Sequence, residues 1–150
     1  DSDSKAPADW IEKTIRQFDD PGVVAITGSW KATDLPGFNG WFVNNLQVPV
    51  SLPYRILFGH FWLTGLNFAI RKEIYEKAGG FDPKLNAHED IDLSLRVRRF
   101  GKIKYSKDIC VLTSGRRYKD GIVSGLWSYQ KPGLKLFLFG KRSIKLEDRR

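Results

Sequence analysis

Gly22-Val23-Val24-Ala25-Ile26-Thr27-Gly28 is the stretch on which the reading of the fold turns. It carries no charge and is dominated by β-branched side chains, so Val23 to Thr27 is predicted to be a short buried strand that Gly28 ends. Asp19-Asp20-Pro21-Gly22 forms the turn before it. Upstream of that turn, Trp10, Ile11, Ile15 and Phe18 recur at helical spacing behind Pro7 and Asp9, which predicts a short helix from Asp9 to Phe18.

Downstream, Pro36, Gly37, Asn39, Gly40, Asn44, Asn45, Pro49 and Pro53 interrupt an aromatic-rich segment. Residues 29–55 are therefore expected to be a long loop with a short helix inside it. Phe61 to Ile70 is apolar and is expected to include a strand. Arg71 to Ala78 is expected to be a helix stopped by Gly79-Gly80, since the residue after a helix favours the left-handed conformation. Phe81-Asp82-Pro83 begins a turn. Glu89 to Phe100 is predicted to be a helix, although Ile91, Leu93, Leu95 and Val97 also suit a strand. Gly101 closes it, and Ile103–Tyr105 and Ile109–Leu112 are expected to be two short strands. Beyond Gly121 the pattern changes. Trp127, Tyr129, Phe137 and Phe139 stand among Lys131, Lys135, Lys141 and Arg142. The chain divides accordingly into a body, residues 1–120, and a basic amphipathic tail, residues 121–150.

The 150 residues are 41% hydrophobic and 13% aromatic, enough to fill a core without staples and inconsistent with intrinsic disorder. The lone Cys110 can form neither an internal disulfide nor a zinc site, which fits a reducing compartment. No methionine occurs and no signal peptide opens the chain, so an upstream segment is expected to have been removed. No run of about 18 apolar residues exists, so no transmembrane helix is expected. The net charge of +8 is uneven, about −4 over residues 1–95 and +12 over residues 96–150. An acidic front suits cations and a basic back suits anions: a phosphate ligand, a membrane or a nucleic acid.

Four clusters could carry chemistry. In Asp1-Ser2-Asp3 two carboxylates flank a small residue, a pattern that can offer oxygens to Mg²⁺ or Mn²⁺ and is also ordinary for a polar terminus. In His88-Glu89-Asp90-Ile91-Asp92 the acids stand at a helix head. They cap the helix, or Asp90 acts as a general base, and the two roles are compatible. His88 is expected to be a loop residue, since no second metal ligand lies at suitable spacing. Thr113-Ser114-Gly115-Arg116-Arg117 follows a strand and could grip phosphate through backbone N–H groups and guanidinium forks, or be a solvated basic turn. Thr64-Gly65-Leu66-Asn67 puts a glycine and an amide inside an apolar run, which fits either a backbone close to a ligand or a β-bulge.

The order of these segments resembles the middle and back of a family 2 glycosyltransferase. The likeness rests on Asp1-Ser2-Asp3-Ser4, Pro7-Ala8-Asp9-Trp10-Ile11, Gly22–Gly28, Gly65-Leu66-Asn67-Phe68-Ala69-Ile70-Arg71, Gly79-Gly80-Phe81-Asp82, Glu89–Arg96 and Thr113–Arg117. It implies an α/β chain with the GT-A fold, a mostly parallel but mixed sheet holding a nucleotide-sugar at its strand ends. By matching position, Asp1 would lie near the nucleotide ribose and Asp3 would reach a Mg²⁺ or Mn²⁺ ion on the diphosphate. Asp90 would be the catalytic base with Glu89 in support, Gly65 and Asn67 would line the sugar and acceptor region, and Arg116 and Arg117 would contact the diphosphate. The implied reaction is inverting sugar transfer from a nucleotide-diphosphate-sugar to an acceptor hydroxyl, on a saccharide or a lipid-linked acceptor.

In that family a nucleotide-binding βαβ half precedes the Asp-x-Asp, so a chain opening at Asp1 is expected to be a fragment or the partner of a separate half, and to be inactive alone if that half is needed. A Gln-x-x-Arg-Trp segment of processive synthases does not occur, which favours single addition. The tail suits either a membrane interface or helices packed on the sheet. The alternative function is a non-catalytic membrane-binding module derived from such an enzyme. A nucleic-acid partner is not expected, for lack of a recognised motif. The expected location is the cytoplasm, with peripheral contact to the inner face of the membrane.

Overall fold

The computed structural model describes residues 3–85, 88–118, 121, 122 and 125. Those residues form an α/β structure. Its elements are α1 (Trp10–Arg16), β1 (Val23–Ala32), α2 (Gly37–Asn45), α3 (Gln47–Phe58), β2 (Phe68–Ile70), α4 (Lys72–Lys77), α5 (Glu89–Val97), β3 (Lys102–Thr113) and a 3₁₀ turn, Arg116–Tyr118. The sheet has three strands in the order β2-β1-β3. It is mixed: β1 runs parallel to β3 and antiparallel to β2.

The apolar run that opens the sequence reading becomes the central strand. Val23, Val24, Ala25 and Ile26 are buried, and they feed two cores. Val24 and Ala25 pack with Leu63, Ile74, Leu93, Val97 and Ile103 beneath α4 and α5. Val23 and Ile26 pack with Ile109 and, from the α1 side, with Trp10 and Phe18. Full burial of a side chain such as Ile26 or Leu93 is worth about 1.5–3 kcal/mol. A third cluster, Ala32, Val43 and Tyr118, closes the far end of β1, with Ile122 packed against it.

Three expectations need correction. Gly28 does not end the strand, which continues to Ala32. Gly28 instead allows a close approach: a Cβ there would collide with the Asn67 side-chain amide and the Ile109 carbonyl. Residues 29–55 are not a long loop, for they hold the end of β1, all of α2 and most of α3. Pro53 lies inside α3, although a proline at that point of the sequence signals a break. Pro49 falls in the first turn, where the missing N–H costs no intrahelical bond. The two short strands near the end are one, β3. Their apparent gap is a slip in register, since Gly28 pairs with Ser106 while Ser29 pairs with Cys110.

Other boundaries follow the sequence. Gly79 and Gly80 stop α4 with φ of 81° and 64°. The corner they make is held by Arg96, whose guanidinium donates to the carbonyls of Ala78 and Gly80 while pairing with Asp92 at 2.7 Å. Among the described residues no helix is long and apolar enough to cross a membrane. Asp1, and the tail residues Trp127, Tyr129, Lys131, Lys135, Phe137, Phe139, Lys141 and Arg142, lie outside the described residues.

Candidate functional site

Asp90 occupies the second position of α5, and the helix enters through His88. No side chain caps that end. His88 itself takes a left-handed conformation, φ 60°, which is uncommon for a residue with a Cβ. The capping expectation for the acids is met only locally. Asp90 Oδ1 accepts the N–H of Ile91 at 2.8 Å, and its Oδ2 accepts the N–H of Gly65 at 3.1 Å. That second bond joins the two sequence clusters into one site. Gly65 is part of the fit, since a Cβ there would sit 3.3 Å from Asp90 Oδ2.

Burial pushes the Asp90 carboxyl above its ordinary value. The two backbone N–H groups pull it back, Glu89 pushes it up by like charge and His88 pulls it down. Glu89 is exposed at the first helical position. Its contribution to Asp90 is electrostatic.

The segment that presents Gly65 is fixed from below. Ser94, fully buried one turn along α5, donates its hydroxyl to the Asp90 carbonyl and accepts the Leu63 N–H, each at 2.7 Å. Thr27 on β1 accepts the Thr64 N–H at 3.0 Å. The Thr64–Asn67 segment is a turn rather than a β-bulge, closed by the Asn67 N–H on the Thr64 carbonyl at 2.8 Å. Asn67 is 2% exposed. Its Oδ1 accepts the indole N–H of Trp10 at 2.9 Å, and its Nδ2 donates to the carbonyls of Ser29 at 2.6 Å and Ile109 at 3.1 Å. Asn67 thus holds the Gly65 turn onto the sheet from behind, with its side-chain groups spent inside the chain.

Asp3 and Arg116 meet elsewhere on the same sheet. Asp3 Oδ2 lies 3.4 Å from Arg116 Nη1. The contact follows from Lys5, which bridges to Leu112 on β3, and from Ser4, whose hydroxyl donates to Thr113 Oγ1 at 3.3 Å. This corner lies at the ends of β1 and β3, where Ala32 pairs with Thr113. Asp90 is tied through Gly65 and Thr64 to the level of Thr27, further back on β1. Asp34, for which the sequence gives no signal, braces the phosphate-gripping candidate: its carboxylate accepts the Ser114 hydroxyl and the Gly115 N–H. Arg117 falls in the 3₁₀ turn, and its side chain lies outside the described set.

Among the described residues no group of three His, Cys, Asp or Glu side chains could enclose a metal. Asp3 offers one carboxylate. That donor set fits Mg²⁺ or Mn²⁺ only in the mode where one or two carboxylates suffice and water and phosphate supply the other ligands.

A separate cleft of about 250 Å³ is lined by Phe58, Gly59, His60, Arg98, Lys102 and Ile103. It contains neither Asp90 nor Asp3 and sits where β3 begins. His60 is buried at its wall, its Nε2 facing the Tyr54 hydroxyl at 2.9 Å and its Nδ1 facing the Phe58 carbonyl at 3.0 Å. Burial lowers the His60 pKa and raises that of Tyr54, so both are held neutral.

Ser94, Thr27 and Asp34 are supporting residues that sequence reasoning misses. Only Ser94 leaves a signal there, a small polar residue one helical turn from Asp90. No model of a known protein family matches the chain, and no curated protein matches it.

Proposed function

We propose that the chain is the catalytic back part of a glycosyltransferase of GT-A type, moving a sugar from a nucleotide-diphosphate-sugar to an acceptor hydroxyl with inversion. The observation that carries this is the Asp90 carboxyl. It is half-buried, raised in pKa and held by the Gly65 N–H at the head of α5. A carboxylate in that state is a better proton acceptor than a solvated one. A general base so placed is typically worth ~10²–10⁴-fold in rate. In this role Asp90 takes the proton of the acceptor hydroxyl as the oxygen attacks the anomeric carbon. Glu89 keeps its proton affinity high, and Gly65 and Ser94 keep it in place.

Asp3, with Asp1, would hold a Mg²⁺ or Mn²⁺ ion, whose chemistry when bound is to neutralise charge on the leaving diphosphate. Arg116 and Arg117 would share that load through charge-assisted hydrogen bonds. The mixed α/β sheet is compatible with such a role.

The test is sugar transfer from a panel of nucleotide-sugars, with the chain joined to the nucleotide-binding half that the proposal requires. Asp90→Asn should lower kcat by about 10²–10⁴-fold with donor affinity kept. Full activity of that variant would remove Asp90 as the base. A second reading, a membrane-binding module without catalysis, is favoured by a different observation, the solvent-facing apolar side of α3. It predicts no donor affinity under any condition.

A further inference from the structure

Helix α3 is amphipathic the wrong way round. Surface helices normally turn their apolar stripe to the core. In α3 only Ser51 is buried. Pro49, Leu52, Pro53, Ile56 and Leu57 are all exposed, and they recur at i, i+3, i+4, i+7 and i+8, which is one face. Ile56 is 83% exposed, Leu57 64% and Leu52 41%. A contiguous apolar stripe of this kind on a folded protein marks a surface for something else.

We propose that this face of α3 seats the protein on an anionic phospholipid bilayer. Charge complementarity selects that occupant. No Asp or Glu occurs between Asp34 and Glu73. The end of the stripe is ringed by cations: Arg55 is exposed beside Ile56, Arg98 donates to the Phe58 carbonyl at the helix end, and Lys102 lines the same cleft. Apolar side chains enter the acyl boundary while lysine and arginine heads stay at the phosphates.

The docking does not rest on the glycosyltransferase proposal.

The experiment is co-sedimentation of the full chain with phosphatidylcholine–phosphatidylserine vesicles and with phosphatidylcholine alone. The expected result is binding to the anionic vesicles that weakens as salt rises. Ile56→Asp with Leu57→Asp should lower the bound fraction at least tenfold, and Arg55→Glu should lower it less. Should the double variant fold poorly, hydrogen exchange of the unaltered chain decides. Vesicles should slow exchange of the amides from Leu52 to Phe58. Three results overturn the proposal: no binding by the unaltered chain, equal binding by the double variant, or loss of binding only when Lys131 and Lys135 are changed to Gln, which would assign the contact to the tail. Asp90→Asn should bind vesicles normally, so a failure of sugar transfer and a failure of docking read out separately.

Discussion

Asp90 and Asp3 are both half-buried acids on the same three-stranded sheet, and they are held in different ways. Asp90 is half-buried, its two oxygens each taken by a backbone N–H. Asp3 faces a partly exposed guanidinium at 3.4 Å on a long side chain. The difference teaches where rigidity is placed. The Asp90 region is built into the core by Ser94, Thr27 and Asn67, so disturbing it disturbs the fold. The Asp3 corner hangs from the Lys5–Leu112 backbone bridge, and the Asp3–Arg116 pair sits outside it, so breaking that pair should disturb the fold little. A backbone clamp of this kind would suit the general base proposed at Asp90, which must be held in position. An exposed ion pair yields easily to an incoming phosphate.

The contrast breaks first at Asn67. Asn67→Ala would strand the indole N–H of Trp10 and the carbonyls of Ser29 and Ile109. A buried polar group left unpaired costs about 1–3 kcal/mol, so a loss of at least about 3 kcal/mol is expected in urea unfolding. A loss below about 1 kcal/mol would mean that the Gly65 turn holds without it. Gly28→Ala is next. Its new methyl would run into the same Asn67 amide and into a backbone carbonyl, and overpacking of this kind typically costs about 1–3 kcal/mol. The two effects should be non-additive when combined, because both act on one junction.

What the sequence reveals follows from how local each signal is. The central strand, α4 with its Gly79-Gly80 stop, and α5 are legible because apolar period and glycine punctuation are set within a few residues. The α2–α3 region is not. Its prolines and asparagines read as breakers, and its apolar stripe is turned to solvent and not to the core, so neither rule for a surface helix applies. Asp90 stands out in sequence as an acid at a helix head. Its clamp does not, for Gly65 lies 25 residues away and the contact is made by a featureless backbone N–H. Asn67 has the expected chemistry in a different role. An amide in an apolar run does mark a close approach of backbones, but between β1, β3 and the turn rather than toward a ligand.

A smaller effect sharpens the Asp90 side. A carboxyl raised in the folded state binds its proton more tightly there than in the unfolded chain, whose reference value is 3.8. The stability it contributes is therefore complete below that value and is lost as pH rises through the folded value. Asp90→Asn removes this titration. Urea midpoints followed from low pH upward should fall for the unaltered chain across that window and stay flatter for the variant. Matching slopes would mean that Asp90 is as well solvated as an ordinary aspartate.

The smallest stability change is expected at the other acid. The side chains of Arg116 and Asp3 are 48% and 23% exposed, and pairs in such surroundings contribute about 0–1 kcal/mol. Arg116→Gln should thus shift unfolding by less than about 0.5 kcal/mol. If the proposed donor site is right, the same change removes a charge-assisted contact to the diphosphate, worth roughly 1.5–3 kcal/mol, and should weaken nucleotide-sugar binding at least about tenfold by calorimetry. A variant that loses stability and keeps donor affinity would turn the comparison around. Arg116 would then be a clamp for the chain's first residues, and the binding role would have to pass to another cation at the end of β3.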